Sequence, residues 1–249
     1  MGRLAFLVVI LLVASMPELK TGHGAAPPLA HQQTVPPPPP RIDEYKMVTY
    51  EVVFVTRGPK WTPESADIMP VVQAHRDYIA GLVKSGTLHI AGPLAGESTL
   101  QGAYVLSGSP DRAEQIAEAD PGIQSGRYSF ELLRWMGPEG WFGRAADPAN
   151  TEKLFFGFLV TGENTSALAA ADQQALMRGH LDHLGSQAKL GKLVLAGPLV
   201  NAGNRRGLIA YRVPTMADAL ERAFADPMVQ AGRMKPELYE WTVPIGALK

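Results

Sequence analysis

The chain of 249 residues contains no cysteine. Disulfide bonds, thiolate metal sites and cysteine nucleophiles are therefore excluded. An excess of charge is also missing, because 23 lysine and arginine residues stand against 24 aspartate and glutamate residues. This balance gives no electrostatic reason to expect a nucleic-acid partner. The sequence also lacks a glycine-rich phosphate loop, a nucleophile elbow and an HExxH motif. Nucleotide hydrolysis, serine-hydrolase chemistry and zinc-peptidase chemistry are therefore not expected.

Residues 1–22 have the layout of a secretory signal peptide. Arg3 precedes an apolar run from Leu4 to Ala14, and small residues suited to cleavage lie at its end. The run is shorter than the about 20 apolar residues of a membrane span, although an uncleaved anchor is the alternative. Both interpretations predict export, to the periplasm or out of the cell, and the first leaves no membrane span after processing. Residues 23–44 contain VPPPPPR, which favours an extended, disordered linker.

The remaining chain carries one pattern twice. When His75 is aligned with His180, the phrase AGPL at 91–94 falls on AGPL at 196–199. Matches this regular indicate an internal repeat. The repeats cover 45–136 and 153–249, and residues 137–152, rich in glycine and proline, form an inter-repeat linker. Other matching pairs, some after one inserted residue, are Gly86 with Gly191, Asp120-Pro121 with Asp226-Pro227, Arg127 with Arg233, and Trp135 with Trp241.

Each repeat predicts the element order β-α-β-β-α-β of a ferredoxin-like unit, with long helices over about residues 65–84 and 166–190. The helices of such a unit cover one face of its sheet and leave the other apolar face open. We therefore expect an α+β protein whose two sheets pack against each other as an intramolecular pseudo-dimer. The chain would be a monomeric pseudo-dimer or would form a further homo-oligomer.

The order of these motifs resembles the YciI-like (YCII-related) family in both repeats. The pattern is a histidine on a helix, then G-x-L, AGPL, Asp-Pro, a glycine and a tryptophan. The resemblance implies a dimeric α+β barrel and an enzymatic activity that uses a histidine and an aspartate. One branch of the family resembles a dehydrochlorinase of chlorinated hydroquinones. The matching positions are His75 with Asp120 and His180 with Asp226. The fusion of two repeats and the export signal depart from the usual family pattern.

The chemistry of this residue pair supports the implied role. A histidine acts as a general base near neutral pH, and a carboxylate on its other ring nitrogen fixes the tautomer. An aspartate before a proline also begins helices as an N-cap, and a histidine on an apolar helix face is often a core residue. The two roles of the aspartate are compatible. The sequence does not identify the substrate, nor does it show whether both repeats are active.

Further candidates surround the pair. Gly92-Pro93 and Gly197-Pro198 would let a small ligand approach the backbone closely, and a tight turn is the alternative. Arg127 and Arg233 would hold an anionic substrate, with solvated surface arginines as the alternative. His180 and His183 have a spacing that can bind zinc, but a full site needs more ligands, so no metal is expected.

Two functions fit this sequence. The first is an exported enzyme of lyase or elimination type that uses the two His-Asp pairs and requires no cofactor. The second is a non-catalytic exported module that binds a small ligand or a partner, with both histidines in a closed core. His89, on a predicted strand, is interpreted as a structural residue.

Overall fold

The computed structural model of the protein describes residues 46–96, 98–144 and 149–249. The predicted signal peptide and the predicted linker at 23–44 lie outside these ranges. Within them, none of the helices combines the length and the apolar character needed to span a membrane.

The two halves of the chain contain the same series of elements. In the first half these are β1 (Met47–Arg57), α1 (Met69–Lys84), β2 (Ile90–Ala95), β3 (Leu100–Leu106), α2 (Pro110–Glu118), α3 (Pro121–Gln124) and β4 (Tyr128–Pro138). In the second half they are β5 (Thr151–Thr161), α4 (Ala170–Lys189), β6 (Leu193–Val200), β7 (Arg205–Tyr211), α5 (Met216–Phe224), α6 (Pro227–Gln230) and β8 (Met234–Pro244).

The eight strands form one closed antiparallel barrel in the order β1-β3-β2-β8-β5-β7-β6-β4. Each half contributes four neighbouring strands, and the halves meet along two seams. In the β2–β8 seam Leu94 lies opposite Trp241, and in the β4–β6 seam Trp135 lies opposite Leu199. The predicted α+β class is confirmed.

The barrel interior is filled by side chains from both halves. Successive residues of a strand point to opposite faces, so Val52 and Phe54 of β1 face the interior while Val53 and Val55 face the helices. Phe54 stacks on Phe156 across the interior, with ring centroids 5.8 Å apart. The apolar faces of the two halves therefore bury each other.

The long helices begin four residues later than the sequence predicts. Pro70 lies in the first turn of α1, where its missing N–H costs nothing. Upstream, residues from Ser65 form a separate turn in which the Ile68 amide donates to the Ser65 carbonyl. The predicted glycine ends are observed, since Gly86 and Gly191 follow α1 and α4 with φ of 77° and 65°.

The segment between the halves takes part in the fold. Strand β4 extends to Pro138, inside the predicted linker, because it pairs with β1 over its whole length. Farther on, Phe142 forms a β-bridge with Leu248, and the Gly143 amide donates to the Ala247 carbonyl at 3.0 Å. The described part of the linker is therefore held against the C-terminus.

Candidate functional site

The first half brings His75 and Asp120 together. His75 lies in the middle of α1, and Asp120 is the N-cap of α3. The Nδ1 atom of His75 donates to Oδ2 of Asp120 at 2.6 Å, and Oδ1 of the same carboxylate accepts from the Gly122 amide at 2.8 Å. Because a carboxylate only accepts, Nδ1 carries the proton, and in the neutral ring Nε2 keeps a free lone pair.

The second half repeats this arrangement. The Nδ1 atom of His180 donates to Oδ2 of Asp226 at 2.6 Å, and Oδ1 accepts from the Met228 amide at 2.8 Å. Asp226 is the N-cap of α6. Each aspartate therefore caps a helix and binds a histidine at once, so the catalytic and the capping interpretations of the Asp-Pro motif do not exclude each other.

His75 faces a cavity of about 1050 Å³ between α1 and the strands β2 and β3. Its ring lies against Tyr128, with centroids 4.9 Å apart. The helix side of the cavity is formed by His75, Arg76, Ile79, Ala80, Val83 and Lys84. The strand side is formed by Ile90–Leu94 and Gln101–Tyr104, and further lining residues are Gly143, Arg144, Pro244 and Ala247.

The matching surface in the second half is closely packed. Ala91 and Ala196 occupy the same position of the repeat, but Ala91 is partly exposed and lines the cavity, whereas Ala196 is 0% exposed. The helix residues that face these strands differ in the same way, since Leu184 is buried and Ile79 only partly so. Helix α4 therefore covers β6 tightly, while α1 leaves space above β2.

His89 also lines the cavity. Its ring stacks on Phe142 with centroids 4.8 Å apart, meets the edge of Tyr50, and its Nε2 is hydrogen-bonded to Ser107 Oγ at 2.7 Å. Burial lowers the pKa of His89 below its ordinary value. The repeat gives no signal for this residue, because the equivalent position is Val194. Sequence reasoning therefore missed its place in the cavity wall.

The two AGP segments lie in strands, so the tight-turn alternative is wrong. Position 92 requires glycine because the two halves approach each other closely there. A Cβ atom at this position would lie 1.9 Å from the Thr242 carbonyl oxygen. At Gly197 it would lie 2.0 Å from the Met136 carbonyl oxygen. Gly92 and Pro93 also line the cavity, whereas Gly197 and Pro198 do not.

Arg127 and Arg233 hold equivalent loops. Arg127 is 4% exposed and donates to the Thr62 carbonyl at 2.8 Å. Arg233 donates to the Asn164 carbonyl at 2.7 Å and also to the Ser166 carbonyl. Neither guanidinium lines the cavity. Both arginines connect the last strand of a half to the loop after its first strand, and the surface alternative is wrong for Arg127.

The spacing of His180 and His183 does not assemble a metal site. The Nε2 atom of His183 donates to the Arg222 carbonyl at 3.0 Å, and His180 is bound to its aspartate. In the parts of the chain that the structure describes, no three histidine, aspartate or glutamate side chains are placed to hold a metal ion.

Comparison with known proteins supports the family and the fold. The model of the YCII-related domain matches residues 155–242, which confirms the resemblance for the second half. A search of curated proteins finds no match. Among solved structures, a variant of chlorite dismutase from Candidatus Nitrospira defluvii is similar at 13% identity, with a TM-score of 0.52 over 80% of this chain and 92% of that chain.

Two further structures agree with this picture. TA0507, proposed to be a chlorite dismutase, has 9% identity and a TM-score of 0.52 over 81% of this chain and 97% of that one. The Candidatus Nitrospira defluvii enzyme in complex with imidazole has 13% identity and a TM-score of 0.50 over 78% and 90%. At these identities the likeness concerns the α+β barrel fold alone.

Proposed function

We propose that this chain, whose residues 155–242 form a YCII-related domain, is an exported enzyme built from two tandem copies of that domain. Each copy corresponds to a ferredoxin-like unit, and the barrel is the intramolecular form of the family's dimer. The first copy carries the activity, a general acid/base reaction of lyase or elimination type on a small molecule. The observation that carries the proposal is the His75–Asp120 pair facing a cavity of about 1050 Å³.

The cavity has the size and lining of a small-molecule site. Ligand pockets commonly occupy about 300–1000 Å³ and combine apolar walls with a few polar groups. Here Ile79, Val83 and Leu88 supply apolar wall, and His75 is one of the polar groups. The carboxylate of Asp120, 0% exposed, is shielded from water and held by the Gly122 amide. This support fixes the orientation of the imidazole without any contribution from the ligand.

The pair performs proton transfer as follows. The Nε2 atom of His75 removes a proton from a carbon or hydroxyl of the bound molecule, and Asp120 stabilises the imidazolium that forms. In an elimination, the electrons of the broken C–H bond form a double bond, and the leaving group departs with its bonding pair. The proton on Nε2 is then released to solvent or returned to the product.

The second copy preserves the pair for stability. His180 is 8% exposed, and its helix packs tightly over the strand that would form the floor of a cavity. The hydrogen bond to Asp226 therefore fastens α4 to the N-terminus of α6. We expect the loss of His180 to lower the free energy of unfolding and leave turnover unchanged.

Hydrogen–deuterium exchange tests the proposal without knowledge of the full reaction. The chain is incubated in D₂O with a panel of chlorinated hydroquinones, phenols and organic acids, and exchange at carbon, halide release and new products are followed by NMR. Removal of a general base commonly costs about 10²–10⁴-fold in rate. We expect a loss of this size in His75→Gln and none in His180→Gln.

Two outcomes would speak for other functions. If His75→Gln keeps the rate of a turned-over compound, the pair is not the base. If panel members bind and raise the melting temperature, yet no proton exchanges and no product forms, the chain is a non-catalytic binding module.

A further inference from the structure

We propose that the cavity of the first half takes an elongated organic anion with an apolar body. Its acidic group lies beside Lys84 and Arg144, and its reacting atom lies beside His75. The inference rests on the proposed function for the position of the reacting atom. The charge and shape of the ligand rest on the cavity wall alone.

The length of the ligand follows from the helix that forms one wall. His75 and Lys84 both line the cavity and are nine positions apart on α1. At 1.5 Å per residue their positions are separated by roughly 13 Å along the helix axis. Between them the wall is apolar, with Ile79, Ala80 and Val83 on the helix. A ligand that reaches both ends needs an extended hydrocarbon or aromatic body.

The sign of the charge follows from the end of the cavity near Lys84. Lys84 and Arg144 are exposed lining residues, and neither forms an ion pair with a described carboxylate. The lining contains one acidic side chain, Glu64, which belongs to the His75 end and pairs there with Arg76 at 3.4 Å. Among the described residues, the Lys84 end therefore carries positive side chains without a partner carboxylate, which favours a carboxylate or a similar group.

The cavity wall also contains an aromatic residue, His89. The rings of His89 and Phe142 are stacked with an interplanar angle of 9°. Because Ser107 is bonded to Nε2 of His89, Nδ1 is the ring nitrogen left for a ligand. The linker between the halves supplies Arg144, which lines the cavity, and Phe142, which stacks on the lining residue His89, so this part of the wall depends on the fused chain.

The test compares acids with their neutral amides. Binding of phenylacetate, 4-phenylbutyrate and 6-phenylhexanoate, and of the matching primary amides, is measured by isothermal titration calorimetry at low and high salt. We expect affinity to rise along the series. We also expect each long acid to bind about tenfold more tightly than its amide, a preference that salt weakens.

Variants locate this preference. The double variant Lys84→Gln, Arg144→Gln should bind acid and amide alike, with the affinity for the amide unchanged. The matched control is Lys189→Gln, which changes the equivalent lysine of the second half, a residue that does not line the cavity. It should keep the preference. Equal binding of acid and amide by the unmodified chain, or an undiminished preference in the double variant, would overturn the inference.

The same measurements separate this inference from the proposed function. His75→Gln should keep the preference for each acid over its amide, because His75 is not used to hold the charge. If the acids bind as described and His75 proves dispensable for every reaction, the proposed function fails and the ligand class stands. If His75 is required for turnover and all substrates are neutral, the proposed function stands and the ligand class fails.

Discussion

The carboxylate of Asp120 divides its two oxygens between His75 and the start of α3. Oδ2 accepts from His75 Nδ1 at 2.6 Å, and Oδ1 accepts from the Gly122 amide at 2.8 Å. An asparagine at this position has one oxygen and one NH₂ group. With its oxygen on the Gly122 amide, its NH₂ group faces Nδ1, which must then accept, so the proton of the neutral ring moves to Nε2.

Asp120→Asn is therefore expected to remove the base and retain the helix cap. We predict a fall in kcat/KM of about 10²–10⁴-fold because the ring is in the wrong tautomer. Asp120→Ala loses the cap as well and should lower the free energy of unfolding by about 1 kcal/mol more than Asp120→Asn does. Urea unfolding and turnover of the best substrate provide the two readouts. The equivalent Asp226→Asn should leave turnover intact, and full activity in Asp120→Asn would contradict the orienting role.

Ala91 and Ala196 allow the open and the closed half to be compared directly. Ala91→Leu extends a side chain into the cavity and should change the free energy of unfolding by no more than about 0.5 kcal/mol. Ala196→Leu places the same atoms in a filled space and should destabilise by about 1–3 kcal/mol. Only Ala91→Leu should abolish ligand binding in calorimetry. Equal destabilisation by the two substitutions would show that the first half is as closed as the second.

The two seam tryptophans differ in one hydrogen bond. Trp241 Nε1 donates to the Gly92 carbonyl at 3.1 Å, whereas Trp135 Nε1 is buried with no partner among the described residues. Both side chains are fully buried, so replacement by phenylalanine leaves similar cavities. We expect Trp241→Phe to destabilise more than Trp135→Phe by about 1 kcal/mol, the net value of such a bond. Urea unfolding of both variants measures the difference, and equal losses would contradict it.

His89 makes stability depend on pH in a defined direction. Burial lowers its pKa from the ordinary 6.5, so the unfolded chain binds a proton at pH values where the folded chain does not. The free energy of unfolding therefore falls as pH falls below about 6.5, and His89 contributes no pH dependence well above that value.

His89→Gln removes this contribution. Below about pH 6.5 the slope of unfolding free energy against pH should be smaller in the variant, by at most about 1.4 kcal/mol per pH unit for one proton. Urea unfolding at a series of pH values measures it, and every other histidine serves as an internal control because it is present in both chains. An unchanged slope would mean that the pKa of His89 is not lowered.

Local patterns predicted much of the fold because they act over short distances. The strand periodicity of two residues predicts that Val52 and Val53 lie on opposite faces of β1. The Asp-Pro pairs predict where α3 and α6 begin. The register of the repeat aligned His75 with His180 and Asp120 with Asp226, and the resemblance to the YCII-related family implied that each histidine acts with an aspartate. The start of α1 was predicted less accurately, because residues from Ser65 to Ile68 form a separate turn before the helix begins at Met69.

Other features depend on contacts between distant parts of the chain. The need for glycine at 92 comes from the Thr242 carbonyl, and the burial of Arg127 comes from the loop at Thr62. Neither contact leaves a local pattern in the sequence. His89 belongs to the cavity because the linker residue Phe142 stacks on it, and no repeat match marks either residue.

The sequence by itself determined the α+β class and the order of elements in each half, because periodicity, caps and internal register express these directly, and the family resemblance implied the pairing of each histidine with an aspartate. The tertiary structure decided which half is open. Alanine stands at both 91 and 196, so the difference is invisible along the chain. It arises from how closely each long helix packs onto its strand, which depends on the volumes of many side chains at once.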